Sequence, residues 1–194
     1  VLSADTSFNY RGPGRWDFVD YDASRSYSPY GERIAEGTGV TDADGRFTFD
    51  IAADISPYPT SQRYTLEVTV TDINNQEVSS RVEAIVHKGL FYIGLRPERY
   101  VSQVGRQSVV NVTTVDWQGE PFPNQELTMV FAEHNWYSVQ KQSEEGIYYW
   151  ESSYEDVPVF TTTVTTDRQG LSSAAFIPEK GGVYKAIATG MDER

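Results

Sequence analysis

The chain has 194 residues, 39% hydrophobic and 13% aromatic, enough apolar surface for one large or two small domains of about 100 residues each, and too much for a disordered tract. Twenty-eight acidic against 16 basic residues give a formal charge of −12, which repels phosphate backbones and anionic lipid and argues against nucleic-acid and membrane-surface binding. Without cysteine there can be no disulfide scaffold, thiol nucleophile, zinc ribbon or thioester in this segment.

No run approaches the roughly 20 apolar residues of a membrane span. The opening "VLSADTSFNY" has neither a basic start nor an apolar stretch, so the leader of a secreted parent would lie outside this segment. "NYRGPGRWDFVDYDASRSYSPYGER", residues 9–33, is rich in Gly, Pro and Tyr with weak alternation; it reads as a long loop folded against its own domain. Alternation then takes over. "RFTFDI" places Phe47, Phe49 and Ile51 on one face, and "YTLEVTVTD" does so with Tyr64, Leu66, Val68 and Val70. Both are read as half-buried strands. "SSRVEAIV" is a further strand, followed by a linker near His87 to Gly89. "LTMVF" aligns Leu127, Met129 and Phe131, and "GVYKAIATG" is expected to be a strand covered on both sides. Strands every 8 to 12 residues or so, separated by turn residues, predict an all-β chain of antiparallel sandwiches.

One punctuation mark recurs: "TDADGR" at Asp42, "TDINNQ" at Asp72, "VDWQGE" at Asp116 and "TDRQGL" at Asp167. Each has Asp, then Gly or Asn three residues later. Asp caps a turn with its own side chain, and Gly or Asn accepts the positive φ of a tight hairpin. A calcium loop starting at Asp42 would need a ligand fifth, Gly sixth and Glu twelfth; those places hold Arg46, Phe47 and Ala53. The turn reading is therefore preferred, and no metal site is expected.

The turns also mark a duplication. "VTDADGRFTFDIAADISPYPTSQRYTLEVTVTD" and "TTDRQGLSSAAFIPEKGGVYKAIATGMD" share Asp-turn-Gly, strand, Pro-containing connection, Tyr-led strand and Asp. Two domains of one kind are expected, residues 1–87 and residues 88–194. By the same alignment the first would lack its opening strands and the second its last, as in a fragment of a larger protein.

Catalytic groups are sparse. His87 lies in the linker and His134 at a strand end; both read as exposed polar residues. No nucleophile elbow, phosphate-cradling glycine loop or His-Glu-x-x-His occurs. Carboxylates cluster at Asp17, Asp20 and Asp22, and at Glu144, Glu145, Glu151, Glu155 and Asp156. Nothing in the sequence sets two of them across a cleft, so solvated loops are the simpler reading. Asn111-Val112-Thr113 matches a glycosylation pattern but falls mid-strand. The richest feature is "HNWYSVQKQSEEGIYYWESSYEDVPV". It reads as a protruding hairpin, residues 134–158, turning at Ser143 to Gly146 and lined by Trp136, Tyr137, Tyr148, Tyr149, Trp150 and Tyr154. Cross-strand stiffening explains such rings, and so does a contact surface. No catalytic, cofactor-binding or metal-binding residue is assigned.

Residues 89–131, "GLFYIGLRPERYVSQVGRQSVVNVTTVDWQGEPFPNQELTMVF", resemble the opening of a macroglobulin domain of bacterial alpha-2-macroglobulins. The likeness rests on a Tyr-rich first strand, Gly105, a strand ending in Val115-Asp116 and the turn Gly119-Glu120-Pro121. The arm, "TTDRQG" and "GGVYKAIATG" are similar to that family too, and the likeness covers most of residues 30–194. It implies two immunoglobulin-like scaffold sandwiches within a large periplasmic or secreted protease-trapping inhibitor. Their partners would be neighbouring macroglobulin domains and, through the whole protein, target proteases. The family's bait region and Cys-x-Glu-Gln thioester have no counterpart here, so no functional residue carries over. A tandem adhesion or glycan- or protein-binding module of a bacterial surface protein is the competing expectation; an enzyme is not expected.

Overall fold

The structure, a computed structural model, describes residues 1–25, 31–143 and 146–193. Tyr27 and Tyr30 of the long loop, and Glu144 and Glu145 at the tip of the arm, lie outside the described residues. Two compact units emerge: Val1–Asn9 with Val19–Leu90, and Tyr10–Phe18 with Phe91–Arg194. All of the sheets are antiparallel.

The first unit holds β1 (Leu2–Asp5), the short helix α1 (Tyr21–Arg25), β2 (Ser61–Thr71) and β3 (Glu77–Val86), with strand order β1-β2-β3. Helix α1 starts where Asp20 Oδ1 accepts from the amides of Asp22 (3.1 Å) and Ala23 (2.9 Å), a side-chain N-cap. The strand pattern of "YTLEVTVTD" is realised in β2. Tyr64 packs with Leu2 and Ile55, and Ile51, Tyr58, Leu66 and Val86 close around them. Further along the same face, Val68, Val70, Val78 and Val82 stay exposed. The opposite face is polar: Arg63 pairs with Glu83 (2.7 Å) and Asp5 (3.0 Å), Arg81 pairs with Glu67, and Thr69 bonds Ser79.

"RFTFDI" is not a strand. The turn before it closes, with Asp42 N donating to Arg46 O, yet no ladder continues beyond. Phe47 and Phe49 are about half exposed and lie with ring centroids 6.2 Å apart. Alternating apolar residues create a face, but a strand also needs a neighbouring edge to bond. Among the described residues this run has none.

The second unit is a sandwich. It contains β4 (Tyr92–Pro97), β5 (Ser108–Val115), β6 (Glu126–Gln142), β7 (Tyr148–Thr165), β8 (Leu171–Phe176) and β9 (Tyr184–Gly190). One sheet runs β4-β5-β8 and the other β7-β6-β9. Between them lie Val110 and Val112 of β5, Leu127, Met129 and Phe131 of β6, and Ala174 and Phe176 of β8. Period-2 alternation sends "LTMVF" into this core: Leu127 and Met129 are 0% exposed and Phe131 1%. Phe131 stacks on Phe176 across the sheets at 4.4 Å. Strand β9 is only partly buried along Tyr184 to Ala188, and Val183 before it is exposed, short of the strand covered on both sides that the sequence led one to expect.

The long loop of residues 9–33 is divided, contrary to its sequence reading as one loop of the first domain: Tyr10–Phe18 packs within the second unit. Asp17 and Leu95 exchange backbone hydrogen bonds of 2.9 and 2.8 Å, adding one rung to the edge of β4. Phe18 fills the space over Gly94, where a Cβ would come within 2.5 Å of its ring, and the Arg96 guanidinium sits 4.5 Å from the Trp16 ring. Covering a sheet edge removes a site of unwanted pairing.

Candidate functional site

Four Asp corners share one geometry. In each, the carboxylate Oδ1 accepts from the amides two and four residues ahead. Asp42 takes Asp44 and Arg46 (3.0 and 2.8 Å), and Asp72 takes Asn74 and Gln76 (2.7 and 2.8 Å). Asp116 takes Gln118 and Glu120 (2.8 and 2.9 Å), and Asp167 takes Gln169 and Leu171 (2.8 and 2.9 Å). The residue three ahead has positive φ: Gly45 73°, Asn75 60°, Gly119 89° and Gly170 71°. This is a three-residue hairpin loop with a left-handed fourth position. Ser143 builds a fifth copy, its Oγ accepting from the amide of Ile147 at 3.2 Å, with Gly146 at φ 82°. The hydrogen bonds realise the turn reading: these carboxylates fasten backbone. Those of Gln76 and Asn74 hold the Asp72 carboxyl below its ordinary value.

Of the carboxylates grouped in the sequence, Glu144 and Glu145 lie outside the described residues. Asp17 is in the second unit, Asp20 and Asp22 in the first. Glu151 pairs with Lys141 at 2.5 Å. Asn111 stands in central strand β5, paired with Arg96 on one side and Ser173 on the other, a poor position for a bulky glycan. His87 is half-buried. A groove of about 570 Å³ beside β7 brings Glu133 and Lys180 within 3.9 Å of each other among mostly apolar walls, without a nucleophile–base pair.

His134 is neither at a strand end nor exposed. It lies within β6, its side chain 11% exposed, with Nδ1 against Asp156 Oδ1, while Asp156 Oδ2 accepts from Lys185 Nζ at 2.8 Å. One carboxylate thus ties β6, β7 and β9 together. Lys185 first, then His134, hold the Asp156 carboxyl below its usual value. The rings of Trp136 and Tyr154 lie 5.0 Å from His134 and 5.6 Å from one another. The sequence grouped Asp156 only with its neighbouring carboxylates and did not mark Lys185, because neither spacing nor residue type marks a partner 22 or 29 positions away.

Beyond this clamp, β6 and β7 continue as a two-stranded arm, their ladder running to Gln142↔Tyr148. Its base carries a register shift at Phe131/Ala132, with Ala132 opposite Pro158; β7 is an edge strand, where a proline at a bulge costs no ladder bond. Directly opposed residues share a face. One face carries Trp136–Tyr154, Ser138–Ser152, Gln140–Trp150 and Gln142–Tyr148; the other carries Tyr137–Ser153, Val139–Glu151 and Lys141–Tyr149. The Ser138–Ser152 hydroxyl bond (3.0 Å) and the Lys141–Glu151 ion pair confirm the two assignments.

No family model and no curated protein matches the sequence. Solved structures do match. Salmonella alpha-2-macroglobulin reacted with methylamine superposes with a TM-score of 0.66 at 13% identity, over 97% of this chain and 14% of that one. The native conformation of E. coli alpha-2-macroglobulin gives 0.65 at 12% identity, over 96% of this chain and 13% of that one. The fold is that of bacterial alpha-2-macroglobulin domains. This macroglobulin-like chain therefore spans about one seventh of the length of the proteins it matches. No helix among the described residues is long and apolar enough to cross a membrane.

Proposed function

We propose that this chain is a scaffold segment of an alpha-2-macroglobulin-like protease trap, two rigid β-units in an array that rearranges around a captured protease. The observation carrying this reading is that the likeness to bacterial alpha-2-macroglobulin covers 97% of the chain. The side-chain chemistry supports it as well. The Asp corners fasten turns and the His134–Asp156–Lys185 cluster fastens strands. A trap needs rigid domains with modest mutual interfaces, so that cleavage of a bait elsewhere can move them. The partners would be neighbouring domains of the parent chain, and the compartment periplasmic or extracellular, where target proteases act.

The test uses the whole gene product incubated with trypsin. A trap leaves the captured protease active on a small chromogenic peptide while shielding it from a large protein substrate. Deleting residues 1–194 should abolish that shielding. Equal loss of both activities, or shielding that survives the deletion, would sink the reading. This segment alone should neither inhibit nor hydrolyse.

A further inference from the structure

The arm has a property that scaffold duty leaves unexplained: its two faces differ in charge. Lys141, Glu151 and Glu155 all lie on one face. From the Trp136–Tyr154 rung to the Gln142–Tyr148 rung the other carries only aromatic, amide and hydroxyl side chains in register, with the mutually paired His134, Asp156 and Lys185 at its root, on a chain of net charge −12. Trp136 is 58% exposed, Tyr148 63% and Trp150 68%.

We propose that this uncharged face is a binding strip for a neutral oligosaccharide. Sugar rings offer apolar C–H faces that stack on exposed indole and phenol rings, whose negative π-faces attract the slightly positive hydrogens. Their hydroxyls need partners that both donate and accept, as the amides of Gln140 and Gln142 and the hydroxyls of Ser138 and Ser152 do. Opposed pairs of one face recur about every 7 Å along a ribbon, so the rings from Trp136 through Trp150 to Tyr148 extend over about 20 Å. That length suits an extended chain of several sugars. An open ribbon with no enclosing wall suits such a ligand better than a compact one, which needs a pocket.

Charge selects among glycans. The net charge of −12 disfavours uronic or sulfated chains, and Lys185, the cation at the root of the strip, is already paired with Asp156. Rigidity helps the proposal too. The His134–Asp156–Lys185 clamp and the Trp136–Tyr154 contact fix the root of the arm, which lowers the ordering cost of binding.

The experiment titrates the intact chain with cellohexaose, chitohexaose and mannohexaose, following tryptophan fluorescence and heat, with hexagalacturonate as the anionic control. At least one neutral hexaose should bind saturably and hexagalacturonate should not. Trp150→Ala and Tyr148→Ala should each weaken binding about tenfold or more, as loss of a central aromatic contact does. Tyr149→Ala and Lys141→Ala, on the opposite face, should leave it unchanged. Near-UV circular dichroism confirms that each variant is folded. The proposal fails if no neutral hexaose binds, if hexagalacturonate binds as well as they do, or if the opposite-face variants lose as much as Trp150→Ala. A self-association abolished by Trp150→Ala without any glycan binding would assign the strip to a second copy of the chain and overturn the proposal. None of these outcomes depends on protease trapping.

Discussion

Two glycines at equivalent turn positions separate backbone conformation from space. Gly45 and Gly170 both have positive φ, but a Cβ on Gly45 meets nothing within 4 Å, whereas one on Gly170 would lie 2.4 Å from the Thr114 carbonyl. Thr114 is itself buried and knotted: its Oγ1 donates to Phe122 O (2.6 Å), and lies within hydrogen-bond reach of Thr166 Oγ1 (3.2 Å) and Gly170 O (3.3 Å). Gly45→Ala should cost about 1 kcal/mol, the price of a left-handed L-residue. Gly45→Asn should cost less, because Asn75 already occupies the same slot at φ 60°. Gly170→Ala adds a backbone clash and should cost about 3 kcal/mol or more, in the range of overpacking and strain combined. Denaturant midpoints of the three variants check the order; equal losses at Gly45 and Gly170 would mean that the Thr114 contact is slack. The sequence announced the turn at both places through its Asp-x-x-Gly spacing. It could not announce the close approach, since Thr114 is brought there by the pairing of β5 with β8.

At the scale of elements, one carboxylate links side chains of all three strands β6, β7 and β9. Asp156 has its folded-state pKa lowered, chiefly by Lys185 and then by His134. A lowered carboxylate contributes stability that is present above its unfolded value, near 3.8, and is lost as pH falls through the still lower folded value. Asp156→Asn should therefore destabilise the second unit at pH 7 by about 1 kcal/mol, as for a partly exposed ion pair. The loss should shrink as pH falls from 7 to 2 through the lowered folded value, because the wild-type carboxyl then takes up its own proton. Unfolding midpoints at the two pH values decide it, and a constant loss at both would show that packing, not charge, holds the clamp. What sequence alone yielded here follows physical range. Local chemistry was legible: Leu127, Met129 and Phe131 alternate inward, and the aromatic hairpin is written in adjacent residues. Non-local chemistry was not: His134 read as an exposed polar residue because Asp156 and Lys185 reach it only through strand pairing. "RFTFDI" failed for the converse reason. Its alternation is local and real, but among the described residues it joins no strand edge. Tyr10–Phe18 belongs to the same class, since a glycine-rich, proline-rich run gives no sign of the strand edge it will join.

Across the whole molecule, the two units differ in how fully their sheets are covered. In the second, side chains from both sheets meet in one core of Val110, Val112, Leu127, Met129, Phe131, Ala174 and Phe176. In the first, the buried cluster is Leu2, Ile55 and Tyr64, and the valines at 68, 70, 78 and 82 continue the same face outward uncovered. Apolar area removed from water is the main favourable contribution to folding, so local stability should follow that coverage. Hydrogen exchange of the intact chain at pH 7, read by mass spectrometry, should find peptides from Ser108–Val115 and Leu127–Phe131 the slowest. Peptides from Val68–Val82 should exchange at least about tenfold faster, although β2 and β3 form a complete ladder, because opening them exposes little new apolar surface. Slow exchange throughout β3 would contradict this and would mean that something other than the described residues closes over those valines in solution. Replacing Val78 and Val82 with Thr separates the possibilities. On an open face the change leaves both exchange and unfolding midpoint close to wild type. Under a covering layer it buries two hydroxyls and lowers the midpoint of the first unit.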